Sequence, residues 1–464
     1  MPLDTIWNET QLWAPNVSIA LWERQCAIVA DMTKGLLEYW QSNFWMMQEL
    51  WTIYNDMLEQ HRDPLTHLTT QGQYQNFMTW QKMRKQTLET ALKQLQILKW
   101  KEWYIFPQQQ QLENYIRTNL AFTFTFDRPD YNVAHTTFER IHEWERMGIK
   151  KFSPEVIEKN GETIFLIAPI SWHFPTLLRK TIQALTDTWY EVCITDWKSC
   201  LQMSADTSTT LDDYTLDLSE AYDIISRTLE DGASFDVLAV CQPGPITLSS
   251  IALAEKSWGL TPRSVTIMAS PLDTSVNPTQ VWKVWESMSP MTLHTAQLVS
   301  PKSWKKVYPG TYQINNFIAA NFEKHLKNYM DLAFQSSPLD VEQEKMIAFY
   351  HEYFAVMDIP YDFFVETVQR VFQTREWATG KVRYKDMLLD LSSIETPVAV
   401  VEWWDDDICW VWETQAAFSI TGQSKTDDNY LLCEGAGHYG VFAGKSFRKR
   451  VIPFMKKFRE KISI

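Results

Sequence analysis

Two hydrophobic periods divide the chain. Between residues 1 and 105 apolar positions recur at helical steps. Leu37, Trp40, Phe44, Met47, Trp51, Tyr54 and Leu58 alternate by three and four, a heptad-like seam on one face. After a break at Asp63-Pro64 a second helical segment runs through Tyr74, Phe77, Leu88, Leu95 and Leu98. Residues 1–105 therefore read as an amphipathic helical extension. Its stripe is available for self-association, for packing on the remainder of the chain, or for lying on an apolar surface.

Residues 106–160 hold no single period and read as a connector of uncertain structure. It opens on Pro107 and Gln108 to Gln111, and the alternation Phe122-Thr-Phe-Thr-Phe126 suggests one strand within it. From Glu162 short apolar runs alternate with helical stretches. Ile164 to Ala168, Glu191 to Thr195, Asp236 to Val240, Ser264 to Met268, Pro397 to Val401 and Asn429 to Leu432 read as strands. Thr176 to Leu185, Leu211 to Glu230, Ile246 to Glu255 and Ser446 to Lys461 read as helices. Strands separated by helices of this length predict an α/β domain over 161–464, a mostly parallel sheet covered on both faces. Between about 275 and 390 aromatic helical segments interrupt the alternation; Met357, Tyr361, Phe364, Val368 and Val371 step by four, three, four and three. Such an insertion between two sheet strands predicts a helical lid.

Charge and composition narrow the function classes. A formal charge of −14 over 464 residues argues against binding to a nucleic-acid backbone, which needs basic patches. No run reaches the length of a membrane-spanning helix, and the N-terminus has no basic segment leading into an apolar core, so a cytoplasmic location is expected. The six cysteines, Cys26, Cys193, Cys200, Cys241, Cys409 and Cys433, are dispersed, with no spacing suited to zinc, and suit a reducing compartment. No metal or cofactor is expected.

Chemistry concentrates at the ends of the expected strands. The run Asp236 to Val240 stops on Cys241 and turns through Gln242-Pro243-Gly244, a corner that can aim a sulfur out of a sheet. Asp405, Asp406 and Asp407 end another apolar strand, and His438 lies between glycines after the last one. The chain order nucleophile, acid, histidine is that of the α/β-hydrolase arrangement.

Several stretches carry a family resemblance in the same order along the chain. They are Leu166-Ile-Ala-Pro-Ile-Ser-Trp-His-Phe-Pro-Thr-Leu-Leu-Arg179, Ile194-Thr-Asp-Trp197, Leu211-Asp-Asp-Tyr214, Val240-Cys-Gln-Pro243, Pro271-Leu-Asp-Thr-Ser-Val-Asn-Pro-Thr279, Tyr308-Pro-Gly310 and Gly437-His-Tyr-Gly-Val-Phe442. From Glu162 to the C-terminus the chain resembles the intracellular polyhydroxyalkanoate (polyhydroxybutyrate) depolymerases. The resemblance implies an α/β-hydrolase fold and cleavage of short-chain polyester in cytoplasmic granules. It implies Cys241 as nucleophile, His438 as base and Asp406 as acid, with Asp407 the fallback. Oxyanion donors would be the backbone N–H of Gln242 and one from Ile170 or Ser171. Water would discharge the thioester, with coenzyme A an alternative acyl acceptor. A polyester synthase would use the same three residue types, and a non-catalytic granule protein could keep the same core; Ala239 and Pro243 beside the cysteine favour the depolymerase.

Three tryptophans depart from that family, which usually has glycine at Trp172, Trp403 and Trp410. The whole chain holds 14 Gly and 22 Trp, where about 32 glycines would be ordinary. The rings could line a substrate channel, or block the oxyanion loop, or reflect a codon that is Trp in some genetic codes and Gly in others.

Overall fold

The computed structural model describes residues 64–100, 107–125, 138–154, 162–173, 178–200, 202–229, 233–257, 259–295, 297–299, 305–435, 437–438, 441–442 and 444–462. Eight strands form one sheet: β1 (Phe138–Glu143), β2 (Met147–Phe152), β3 (Thr163–Ile167), β4 (Glu191–Trp197), β5 (Phe235–Val240), β6 (Ser264–Met268), β7 (Val398–Trp403) and β8 (Tyr430–Cys433). Their spatial order is β1-β2-β4-β3-β5-β6-β7-β8. The pairs from β4 to β8 are parallel, and β2 runs antiparallel to both β1 and β4. Every residue of β3, β5, β6 and β7 is buried, as expected of strands covered on both faces.

The sheet begins earlier than the expected boundary at 161. The β1–β2 hairpin falls in the stretch read as a connector, and two features hide it from the sequence. Strand β1 is an exposed edge rich in charge, and β2 carries Lys150 inward, where it is 2% exposed, pairs with Asp196 and lies 4.9 Å from the Phe138 ring. A buried lysine breaks the apolar alternation by which a strand is recognised.

The same stretch holds a helix, α2 (Pro107–Ala121), against which α1 (Pro64–Trp100) packs. Arg84 on α1 donates to Asn119 at 2.7 Å. The seam from Leu37 to Leu58 lies outside the described residues; Tyr74 to Leu98 is helical, as its period predicts. The alternating Phe122-Thr-Phe-Thr segment is not a sheet strand. Thr125 makes a single bridge to Ala355, while Phe122 and Phe124 pack on Tyr329, Tyr350 and Phe354. Its period of two reflects two rings docking on a neighbouring aromatic cluster.

Helices α3 (Arg179–Thr186), α4 (Leu211–Thr228) and α5 (Gly244–Lys256) connect the parallel strands. Thr210 and Asp213 cap α4 reciprocally. Between β6 and β7 lie α6 (Gln280–Ser287), α7 (Pro290–Thr295), α8 (Gly310–Ala320), α9 (Phe322–Ala333), α10 (Val341–Tyr353) and α11 (Tyr361–Glu366), the last continuing as a π-helix over Thr367–Gln373. This inserted layer is fastened to the sheet domain by polar ties. Arg370 bonds Asp212 on α4 at 2.9 Å, Arg179 pairs with Glu352, and Trp377 Nε1 donates to Pro245 O at 2.7 Å. Among the described residues no helix is long and apolar enough to cross a membrane.

Candidate active site

The order of β4, β3 and β5 reverses chain direction across the sheet at β3, and the crevice outside the C-terminal ends of β3 and β5 is where such sheets bind ligands. Cys241 follows β5 there. Its N–H still bonds Met268 O at 2.8 Å in sheet register, yet its φ is 66°, so the backbone leaves the strand abruptly and α5 starts three residues on. A non-glycine residue in this region costs about 1–3 kcal/mol and is held by its surroundings. Gly244 permits the sharp corner: a Cβ there would sit 1.8 Å from Ser270 Oγ and 3.2 Å from Ile267 Cγ2.

Cys241 is partly exposed, while Cys193, Cys200, Cys409 and Cys433 are buried. Burial pushes the Cys193 thiol up to about 12 and those of Cys200 and Cys409 well above the ordinary thiol range, which leaves them inert as nucleophiles. Cys26 lies outside the described residues.

His438 comes to Cys241 from the loop after β8. Its Nε2 is 3.3 Å from Sγ, and its Nδ1 is 2.8 and 2.9 Å from the two carboxylate oxygens of Asp406. Phe442 stands edge-on to the imidazole at 5.0 Å. Asp406 is 2% exposed, and its Oδ1 also accepts the N–H groups of Ile408 and Cys409 at 3.0 and 2.9 Å. Burial alone would lower the imidazole pKa; the Asp406 charge and Cys241 outweigh it and hold His438 well above the usual histidine range. Asp407 meets His438 through the backbone instead, its Oδ1 accepting that N–H at 3.3 Å.

Ile170 and Ser171 form the turn after β3, and Ser171 Oγ lies 3.4 Å from Gln242 Oε1, which sets this turn beside the cysteine corner. Among the described residues the backbone N–H groups of Gln242, Ile170 and Ser171 have no hydrogen-bond partner. Ser171 and Gln242 line a cleft that also reaches Cys241 and His438.

The cleft walls were not legible as such in the sequence. Trp282 and Trp285 from α6, Phe317 from α8, and Val371 and Phe372 from the π-helix line it with Trp172. An aromatic stripe looks the same whether it packs in a core or faces a cavity. The loop carrying Asp406 is braced by two buried carboxyls that also read as ordinary surface charges. Glu402 accepts from Thr414 N, Gln415 N and the Tyr430 hydroxyl at 2.9, 2.9 and 2.8 Å; Glu413 accepts from Trp282 Nε1 at 2.8 Å. Burial pushes both above the normal carboxylate range.

The three family-atypical tryptophans have separate surroundings. Trp172 is buried, bonds Tyr353 O through Nε1 at 3.1 Å and stacks on Phe317, so it forms cleft wall. Trp403 is fully buried in β7 and Trp410 is exposed. None of the three has positive φ.

An antiparallel-led, otherwise parallel eight-stranded sheet with a sharp strand-to-helix corner after β5 and a helical insertion after β6 defines the α/β-hydrolase fold. Residues 269–463 match the family model described as PHB de-polymerase C-terminus, so this part of the chain is similar to that family. The match spans the strand end at Ala269, the lid, and the loops of Asp406 and His438. Similar solved structures include a thermophilic esterase from Thermogutta terrifontis, 11% identical over 71% of this chain and 100% of that chain with a TM-score of 0.38. A bromoperoxidase from Bacillus anthracis is 12% identical over 69% of this chain and 99% of that chain, with a TM-score of 0.40. A carboxylesterase structure from Nitrososphaera gargenis is 11% identical over 70% and 100%, with a TM-score of 0.39. A comparison with curated proteins finds no match.

Proposed function

We propose that the protein hydrolyses ester bonds of short-chain polyhydroxyalkanoate, poly-3-hydroxybutyrate in particular, through a Cys241-His438-Asp406 triad. The observation that carries this reading is the unbroken hydrogen-bonded chain from Sγ to the Asp406 carboxylate, beginning at a cysteine held at φ 66°. The match to PHB de-polymerase C-terminus supports the substrate class, and an apolar cleft suits an aliphatic polyester.

In the first half-reaction His438 Nε2 takes the Cys241 proton and the thiolate attacks the ester carbonyl. The resulting oxyanion is received by the N–H of Gln242 with that of Ile170 or Ser171. The C–O bond then breaks, and the alkoxide leaves as an alcohol with the proton from His438. In the second half-reaction His438 takes a proton from water, hydroxide adds to the thioester, and the acid departs as the thiol is restored. Asp406 fixes the ring so that Nε2 faces sulfur, and it stabilises the imidazolium between the two transfers. The place of action would be the granule surface in the cytoplasm, with residues 1–63 contributing to adsorption.

The test is release of 3-hydroxybutyrate from amorphous polyester by the parent protein and by Cys241→Ala. The parent should release acid and the variant should not; equal release by both would remove the triad from the mechanism. Incubation with a hydroxyacyl-CoA should yield no polymer, which separates this reading from a synthase.

A further inference from the structure

The cleft divides at His438. The second arm is aromatic at Phe349, Tyr350 and Tyr353, and Asn321, Lys324, His325 and Asn328 give it a polar side with Asp407 and Gly437, the polar arm. His325 Nδ1 is 2.9 Å from the Tyr350 hydroxyl, which also accepts from Asn328 at 3.1 Å. Burial, with Lys324 beside it, pushes His325 down to about 4, so it is uncharged at neutral pH. Lys324 brings a cationic side chain to this arm, its Nζ 3.9 Å from where a Cβ on Gly437 would sit. Asp407 faces the same arm with Oδ1 engaged by the His438 N–H, and no ion pair joins it to Lys324 among the described residues.

The ring that takes the thiol proton must hand it to the departing alkoxide, so the leaving part of the substrate lies on the His438 side and the acyl part over the apolar arm. We propose that the polar arm binds the free carboxylate of a departing hydroxy acid, with Lys324 as its anchor, and that the polyester is shortened from its carboxyl end. This rests on the ester-cleaving reading above. A 3-hydroxy acid carries its carboxylate only two carbons from the carbon bearing the leaving oxygen, a reach suited to a cation close to His438.

The test compares 3-hydroxybutyrate oligomers ending in a free carboxylate with the same oligomers ending in a carboxamide, on the parent, Lys324→Gln and Cys241→Ala. The parent should favour the free acid about tenfold in kcat/KM, mostly through KM, and release monomer from the carboxyl end. Lys324→Gln should lose that preference, its kcat/KM on the free acid falling to its own value on the carboxamide. Equal rates on the two substrates in the parent, or a preference retained in Lys324→Gln, would overturn the proposal with ester cleavage intact. Cleavage retained in Cys241→Ala would instead overturn the reading beneath it.

Two other tryptophans carry an independent inference. Trp189 and Trp412 have φ of 72° and 79°, whereas Ala269, Arg375, Lys385 and Cys241 lie between 50° and 66°, inside the left-handed well open to side chains. The values at the two tryptophans lie above all four of these, between Gly422 at 67° and Gly435 at 82°. Both rings are also exposed, at 45% and 43%, so core packing does not require them. Together with 14 glycines against 22 tryptophans, the geometry points to glycine at positions 189 and 412 in the protein as its own cell makes it. Trp189→Gly and Trp412→Gly should each raise the melting temperature by about 1–3 °C by relieving backbone strain. Peptide mass spectrometry of the natural protein should read glycine at both sites. Tryptophan in those peptides, or a lowered melting temperature in both variants, would overturn the inference.

Discussion

Replacing Asp406 with asparagine keeps the shape of the side chain and removes one charge. The carboxylate serves the Ile408 and Cys409 N–H groups at 3.0 and 2.9 Å and the His438 ring at 2.8 Å. An asparagine oxygen can keep the two backbone donors, but its NH2 group then faces Nδ1. The ring must accept there, its proton moves to Nε2, and no lone pair remains for the Cys241 thiol. Two unit charges at 2.8 Å attract by about 6 kcal/mol at an effective dielectric near 20, and burial of the ring opposes this. An opposite charge at such range moves a pKa by about 1–3 pH units. Without it burial dominates, and His438 falls from well above 6.5 toward or below that value.

The sign of the pH effect follows. A histidine raised in the folded state contributes stability that is complete below the ordinary value near 6.5 and is lost as pH rises through the raised value. Both half-reactions begin with His438 taking a proton, so the resting ring must be uncharged, and the parent's activity should rise with pH through that raised pKa. Asp406→Asn should lower kcat about 10³–10⁴-fold and move the acid limb down by about 1–3 pH units. Asp407→Asn, which touches only the His438 backbone, should cost less than about tenfold. The assay is a pH profile of kcat on a soluble 3-hydroxybutyrate ester for the three proteins. Equal losses in the two variants, or an acid limb unmoved in Asp406→Asn, would refute the reasoning.

Gly244→Ala should destabilise the fold by about 1–3 kcal/mol, read as a lower urea midpoint, because the new methyl collides with Ser270, whose N and O are both held by Thr414 Oγ1 at 2.7 and 3.0 Å. Val371→Trp should fill the apolar arm and abolish turnover of polyester, while a small alkylating reagent still labels Cys241. Deleting residues 1–63 should release the protein from polyester granules and leave hydrolysis of soluble esters unchanged; undiminished granule binding would assign adsorption to another surface.

Much of the sheet was legible because strands β3, β5, β6 and β7 are buried on both faces and so are apolar without interruption. The hairpin β1–β2 was not, because an edge strand faces water and Lys150 is neutralised by Asp196, a partner 46 residues away in the chain. Phe122 and Phe124 alternate like a strand but dock on rings from the lid, a contact that leaves no local trace. At the site, the Cys241 corner was visible as an apolar run ending on Cys-Gln-Pro-Gly, since a turn declares itself in adjacent residues. The choice of Asp406 over Asp407 came from the family resemblance and not from the residues themselves, because adjacent residues differ only in which way the loop aims them.

Sequence alone therefore determined the elements whose cause is local: the alternation of strands and helices, the corner at Cys241, and the order in which cysteine, acid and histidine follow. Only the tertiary structure decided what depends on distant partners. It brought Cys241 to 3.3 Å from His438 across 197 residues of chain, turned the lid's aromatic stripe into one wall of a cleft, and opened a polar arm beside the imidazole. A hydrophobic pattern records that a side chain avoids water; which neighbour it meets is settled only when every element has packed.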